Sequence, residues 1–151
     1  MTKYLLLLAA LMLTVACAED DGNFYAGLEW TPLSEESMGW EPAMEYCEAM
    51  GARLPNINEL RKIIINCPGS TYGGACPAFH LDCLEIDCET ADCFCDGGAA
   101  TYSALGDGKT MGLWSSSSRS DYDTFAWYVG FGNGGVSTIV KGAHVHVRCV
   151  R

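Results

Sequence analysis

The chain reads as an α+β domain whose helices come first and whose strands come last. Three observations carry that reading. Apolar residues recur at helical spacing between Trp40 and Cys67, aromatic and period-two patterning fills Phe125 to Cys149, and the irregular stretch joining them is crowded with cysteine. Helical and strand patterns that occupy separate parts of a chain mark the α+β class.

The first stretch, MTKYLLLLAALMLTVAC, precedes the fold. One Lys, an apolar run from Tyr4 to Val15 and a small residue before Cys17 have the layout of an export signal. The apolar run is too short to span a bilayer, which takes roughly 20 residues. Its ending, Thr14-Val15-Ala16-Cys17, resembles the bacterial lipobox. We therefore expect residues 1–16 to be removed and Cys17 to be acylated, anchoring a lipoprotein in the membrane, with an ordinary cleaved leader as the alternative. Ala18 rather than Asp after Cys17 points to the bacterial outer membrane, the domain facing the periplasm or the surface. Residues 17–23 are small and acidic, and serve as a tether. The domain proper is expected over residues 24–151, a length that suits a single core.

Nine Lys and Arg against 19 Asp and Glu give a formal charge of −10. Loss of Lys3 with the leader makes the remainder more negative still. Such a field repels polyanions, so neither nucleic acid nor heparin-like chains are expected as partners.

The first helix is announced by Trp40, Ala43, Met44, Cys47 and Met50, which follow the i, i+3, i+4, i+7 rule with Glu41, Glu45 and Glu48 on the opposite face. Gly39 can cap it, Pro42 is tolerated within the first turn, and Gly51 is placed to end it. Cys47 thus faces the core. The second helix opens on Asn56 with Glu59 three residues later, the capping-box spacing, and continues through Ile57, Leu60, Ile64 and Cys67 until Pro68-Gly69.

From there to Leu113 no period is sustained, a connection far longer than the loops of compact domains, so something must staple it. Residues 67–102 hold Cys67, Cys76, Cys83, Cys88, Cys93 and Cys95; with Cys47 and Cys149 they make an even set once Cys17 is acylated. In an exported chain this is a disulfide framework, although eight cysteines permit about 105 pairings. A zinc site built around Cys93 and Cys95 is the rival, disfavoured by the oxidising compartment and by missing CxxC pairs. Within the insert we expect Cys67 to join Cys76. No Lys or Arg falls between Lys62 and Lys109, whereas Asp82, Glu85, Asp87, Glu89, Asp92, Asp96 and Asp107 do. These carboxylates read as a solvated loop. The alternative is a calcium site, with Asp82, Glu85 and Asp87 best spaced for oxygen ligation; no other cofactor is expected.

Phe125 to Phe131 and Val136 to Val140, joined by Gly132-Asn133-Gly134-Gly135, form a predicted hairpin. Val145, Val147 and Cys149 then alternate with His144, His146 and Arg148, predicting a half-buried strand with Cys149 inward. A core-facing cysteine on the first helix and another on the last strand are natural partners, so Cys47 is expected to bond Cys149.

The motifs Trp30-Thr31-Pro32, WEPAMEYC from Trp40, Arg53-Leu54-Pro55 with Glu59-Leu60, Trp114-Ser115-Ser116-Ser117, Ala126-Trp127-Tyr128-Val129 and the terminal Val147-Arg148-Cys149-Val150-Arg151 resemble the Lcl C-terminal domain family. The resemblance implies a C-type-lectin-like fold: two helices on a small twisted antiparallel sheet, a long loop region, and chain ends brought together. The family's namesake is the C-terminal domain of a collagen-like adhesin that binds sulfated glycans, but this chain has no collagen repeat and no basic excess. The Glu-Pro-Asn and Trp-Asn-Asp motifs of calcium-dependent sugar-binding lectins are absent from the sequence as well.

The expected function is an extracytoplasmic binding or adhesion module for a glycan or an envelope protein. The alternative is a structural or assembly component of the envelope. Loop residues Asp121, Tyr122, Asp123 and Asn133 flank the predicted hairpin and are the first candidates for contact with a ligand. Trp30, Trp40, Trp114 and Trp127 read as core. His80, His144 and His146 form no Ser-His-Asp or Cys-His spacing, so no catalysis is expected, despite a fold-level analogy with formylglycine-generating oxidases.

Overall fold

A computed structural model of the chain describes residues 23–67, 76–78, 83–95, 97, 102–106 and 112–151. The expected leader, Cys17, His80 and Asp82 lie outside the described residues. Among those described, no helix is long and apolar enough to cross a membrane.

The first element is a hairpin, β1 (Asn23–Tyr25) and β2 (Leu28–Trp30), turned by Ala26 and Gly27. Both have positive φ, 52° and 82°, as the tightest two-residue hairpin turns require.

Helix α1 runs from Trp40 to Ala49 and is capped by Gly39, as the glycine and proline placement predicts. Its end is a complete glycine stop. Ala52 N–H donates to the Cys47 carbonyl at 2.9 Å and Gly51 N–H to that of Glu48 at 3.0 Å, with Gly51 at φ 64°.

Helix α2 begins as expected, with the reciprocal Asn56 and Glu59 capping box, but it spans only Ile57–Arg61. The apolar period that continues through Ile64 and Cys67 is not helical. Ile63-Ile64-Ile65 is a β-branched run that favours extended backbone. Ile64 bridges Ser103, Ile65 N–H donates to the Tyr102 carbonyl at 2.8 Å, and Asn66 turns the chain at φ 61°. Pairing with the far arm of the insert, not Pro68, ends the helix.

The main sheet is a meander of β3 (Gly112–Ser118), β4 (Phe125–Gly130) and β5 (Gly135–Val140). The β4–β5 hairpin falls where the sequence predicts it. Strand β3 was not predicted, because its four serines carry no alternation. Those hydroxyls do the joining: Ser115 Oγ donates to the Trp127 carbonyl at 2.7 Å and Ser117 Oγ accepts from Ile57 N–H at 3.0 Å. The pairing with β4 shifts register between Trp114 and Ser118.

Both faces of this sheet are buried. Trp127 and Val129 of β4 pack with Ile57, Leu60, Ile63, Tyr102 and the insert cysteines. Ala126 packs on the other side with Trp114, Ala43, Cys47, Leu54 and Val147. This three-layer arrangement explains why β4 is apolar throughout rather than alternating. Trp30, Trp114 and Trp127 are buried, whereas Trp40 is half-buried under the Lys141 ammonium, 4.1 Å from its ring centroid. All four indole N–H groups donate to backbone carbonyls, those of Tyr25, Ser115, Met38 and Leu84.

The terminal segment is extended but is not a regular strand. It makes single bridges from Val145 to Met38, from His146 to Leu113 and from Val150 to Trp30 and Arg53. The reason lies in its partner. Thr31, Ser34 and Met38 N–H groups donate to the Cys149, Val147 and Val145 carbonyls, so steps of three and four residues face steps of two. Hydroxyls fill the gaps: Cys149 N–H donates to Thr31 Oγ1 at 2.8 Å and Val147 N–H to Ser34 Oγ at 3.0 Å. This cover also buries Arg148, expected on the outer face, which donates to the Thr31 carbonyl at 2.6 Å.

Cys47 and Cys149 are bonded, with Cα atoms 5.5 Å apart and a sequence separation of 102. The insert cysteines pair as Cys67–Cys95, Cys76–Cys93 and Cys83–Cys88, each bridge nested inside the previous one. Cys67 therefore does not join Cys76. The insert folds back on itself, because Cys95 N–H donates to the Asn133 carbonyl at 2.9 Å and holds the returning arm on the β4–β5 turn. That approach demands glycine. A Cβ on Gly134, itself at φ 61°, would stand 2.5 Å from Cys95 Sγ, and one on Gly135 2.7 Å from the Phe94 ring.

Candidate functional site

The loop from Arg119 to Thr124 joins β3 to β4, and its backbone is tied at three points. Arg119 N–H donates to the Phe125 carbonyl at 3.0 Å, Ser120 N–H to that of Leu84 at 3.1 Å, and Lys141 N–H to that of Thr124 at 2.8 Å. On this frame the Arg119 guanidinium grips Asp121 through Nε and Nη2, a bidentate, charge-assisted pair. The same guanidinium lies 5.8 Å from the Tyr122 ring centroid and 5.0 Å from that of Phe125. The two rings are tilted at 5.6 Å from each other. Tyr122 thus packs against both neighbours although 55% of it is exposed. Val140, the register partner of Phe125, and Ile86 of the insert are exposed apolar residues too.

The hydrogen bond from Arg119 holds the Asp121 carboxyl below its ordinary range, helped by the backbone N–H of Ile86, and Asp121 raises the guanidinium in return. Asp121 therefore stays ionised and committed to the loop. Asp123 is exposed.

Asn133 belongs elsewhere. Its side-chain oxygen accepts from Gly135 N–H at 3.0 Å and its carbonyl from Cys95, so it shapes the β4–β5 turn at the opposite end of the sheet. The six residues of β4 separate the two loops by roughly 20 Å. The four expected contact residues do not form one site: Asp121, Tyr122 and Asp123 stand together, and Asn133 stands apart.

Of the expected calcium ligands, Glu85 and Asp87 are exposed on the short 3₁₀ turn Ile86–Cys88 and just before it, and Asp82 is not among the described residues. Among the described residues no group of three or more His, Cys, Asp or Glu is arranged to hold a metal. The eight described cysteines are disulfide-bonded, which leaves none of them as a thiolate for zinc. One acidic residue of the insert does have a defined task. Glu89 accepts from Ser137 Oγ at 2.7 Å, Thr138 N–H at 3.2 Å and Thr138 Oγ1 at 3.3 Å, covering the edge of β5. His144 is exposed, and His146 Nδ1 lies 3.1 Å from the Ser34 carbonyl.

A second surface was missed by sequence reasoning altogether. The unequal spacing of residues 31–38 against the tail pushes the surplus residues outward, and with α1 they enclose a groove of about 520 Å³. The stretch TPLSEESM carries no period that would have revealed it.

The molecule is thus an α+β domain braced by four disulfides, a construction suited to an oxidising, extracytoplasmic compartment. Residues 23–151 match the Lcl C-terminal domain family, and the chain belongs to that family. No curated protein and no solved structure matches it.

Proposed function

We propose that this chain is a binding module displayed on the bacterial envelope through a lipid on Cys17, and that it recognises a glycan or an envelope protein with the Arg119–Phe125 loop. The observation that carries the proposal is the posture of Tyr122: an exposed aromatic ring already packed against the mutually contacting Arg119 and Phe125. Pre-ordering a ring removes part of the entropy cost of binding, and aromatic side chains supply large contact areas at protein surfaces. The C-type-lectin-like fold belongs to this reading. Two helices, an antiparallel sheet, a long loop region and chain ends joined near Cys47–Cys149 support it. A binder also agrees with the disulfide state of the eight cysteines, since catalysis of the formylglycine-generating kind uses a reactive cysteine pair. No cofactor is part of the proposal.

Isolated envelope fractions, with and without digestion of their glycans, provide the probe. Wild-type protein should bind, Tyr122→Ala should weaken binding at least tenfold without moving the melting temperature, and Tyr122→Phe should restore most of it. Heparin at physiological salt should not compete, because the domain's field repels polyanions. Unchanged binding by Tyr122→Ala would remove the loop from the reading. A Cys17→Ser chain should leave the membrane fraction or keep its leader.

A further inference from the structure

The groove beside α1 is a second site with chemistry of its own. Leu33, Met38, Tyr46 and Met50 contribute apolar surface, and Glu35 and Glu36 stand exposed on its rim. At about 520 Å³ it falls within the 300–1,000 Å³ of ligand clefts, room for a few side chains. Its wall is fixed from below. Ser34 donates to the Glu36 carbonyl at 2.8 Å while accepting from Val147 N–H, and Met38 exchanges both backbone bonds with Val145. Its lining is adaptable, because thioether side chains fit varied apolar shapes.

Negative charge predominates around this groove. Among the described residues no Lys or Arg lines it; the Arg151 guanidinium at its Met50 end donates to the Met50 carbonyl at 3.3 Å and is paired with Glu29, and the ion pairs involve neither Glu35 nor Glu36. Glu41, Glu45 and Glu48 are exposed on the helix that forms its other wall. A second copy of the chain would bring the same negative surface against itself, and a polyanion would be repelled. An apolar slot bordered by an excess of carboxylates is complementary to something both apolar and cationic.

We propose that the groove between residues 32–38 and α1 receives an extended segment of a partner polypeptide that sets a bulky apolar side chain beside lysine or arginine. The carboxylates steer the cations and the Met, Leu and Tyr surface takes the apolar anchor. This site is independent of the Tyr122 loop.

Fluorescence anisotropy with the disulfide-intact protein tests it, using three short labelled peptides of alternating Leu and Lys, Leu and Glu, or Ser and Lys. Only the Leu/Lys peptide should bind, and binding should weaken as salt rises. Glu35→Lys with Glu36→Lys should lower its affinity about tenfold, as expected for two rim charges reversed. Met50→Ser should lower it severalfold, and Tyr122→Ala should leave it unchanged. A benzophenone in the peptide should cross-link within residues 32–50. No binding, equal binding of the Ser/Lys peptide, an unmoved affinity in the Glu35/Glu36 variant, or cross-links elsewhere would each overturn the proposal. So would full competition by a neutral oligosaccharide.

Discussion

Glu59 shows how much one side chain decides locally. Its carboxylate accepts from Asn56 N–H at 2.8 Å and from both terminal nitrogens of Arg53 at 2.8 Å, closing the capping box and fastening residue 53 to α2. Burial alone would raise its pKa, but Arg53 and the Asn56 N–H outweigh burial and hold it below the ordinary value of 4.5. A carboxyl with a depressed folded-state pKa stabilises fully above its unfolded value and loses that contribution as pH falls through the folded one. Glu59→Ala should therefore cost about 1 kcal/mol at neutral pH, the scale of a lost cap. Melts recorded from neutral pH downward should show the gap between variant and wild type closing below pH 4.5; a gap that persists undiminished at about pH 2 would contradict this. The capping box was legible because Asn56 and Glu59 are three residues apart. The pairing with Arg53 was not, since it depends on how the chain enters the helix.

Among the elements, β5 is the exposed edge of the meander, and sheet edges invite association unless they are covered. Glu89 supplies the cover here, reaching from the insert to Ser137 and Thr138. Glu89→Ala should cost about 1–3 kcal/mol through unmade hydrogen bonds. It should also raise the tendency to self-associate, measurable by light scattering against concentration; a variant that melts and scatters like wild type would deny the edge its dependence on Glu89. In the sequence, Glu89 was one more acid in a run. Hairpin β4–β5 was readable from aromatic residues around a Gly-Asn-Gly-Gly turn. Strand β3 was not, because its serines match no hydrophobic period and take their places through bonds to Trp127 and Ile57. Helix α2 misled for the opposite reason: an apolar period continued into residues whose β-branching and pairing with Ser103 favoured extended chain.

At the scale of the molecule, Cys47–Cys149 ties the first helix to the end of the chain across 102 residues. In the chain-entropy account, a loop of that length contributes about 4–5 kcal/mol. Replacing both cysteines with alanine should lower stability by that order, read from denaturant unfolding, and should leave the nested insert bridges in place on non-reducing peptide maps. Loss of those bridges as well would mean that the insert depends on this closure for its fold.

Composition and local pattern determined the class of this protein: its acidity, its many cysteines, α1 with its glycine stop, the start of α2, the β4–β5 hairpin and the family motifs spread from Trp30 to Arg151. Pairing of Cys47 with Cys149 was legible because each cysteine sat on the inward phase of its own periodic segment. Tertiary structure alone decided the nested pairing of the insert, where no period orients one cysteine relative to another. It placed Asp121 to Asp123 and Asn133 at opposite ends of a sheet, since turn residues carry no record of which end they occupy. It also made the groove, which arises from a mismatch in spacing between two segments more than a hundred residues apart. Local interactions are written in neighbouring residues, whereas surfaces depend on which distant segments meet and in what register.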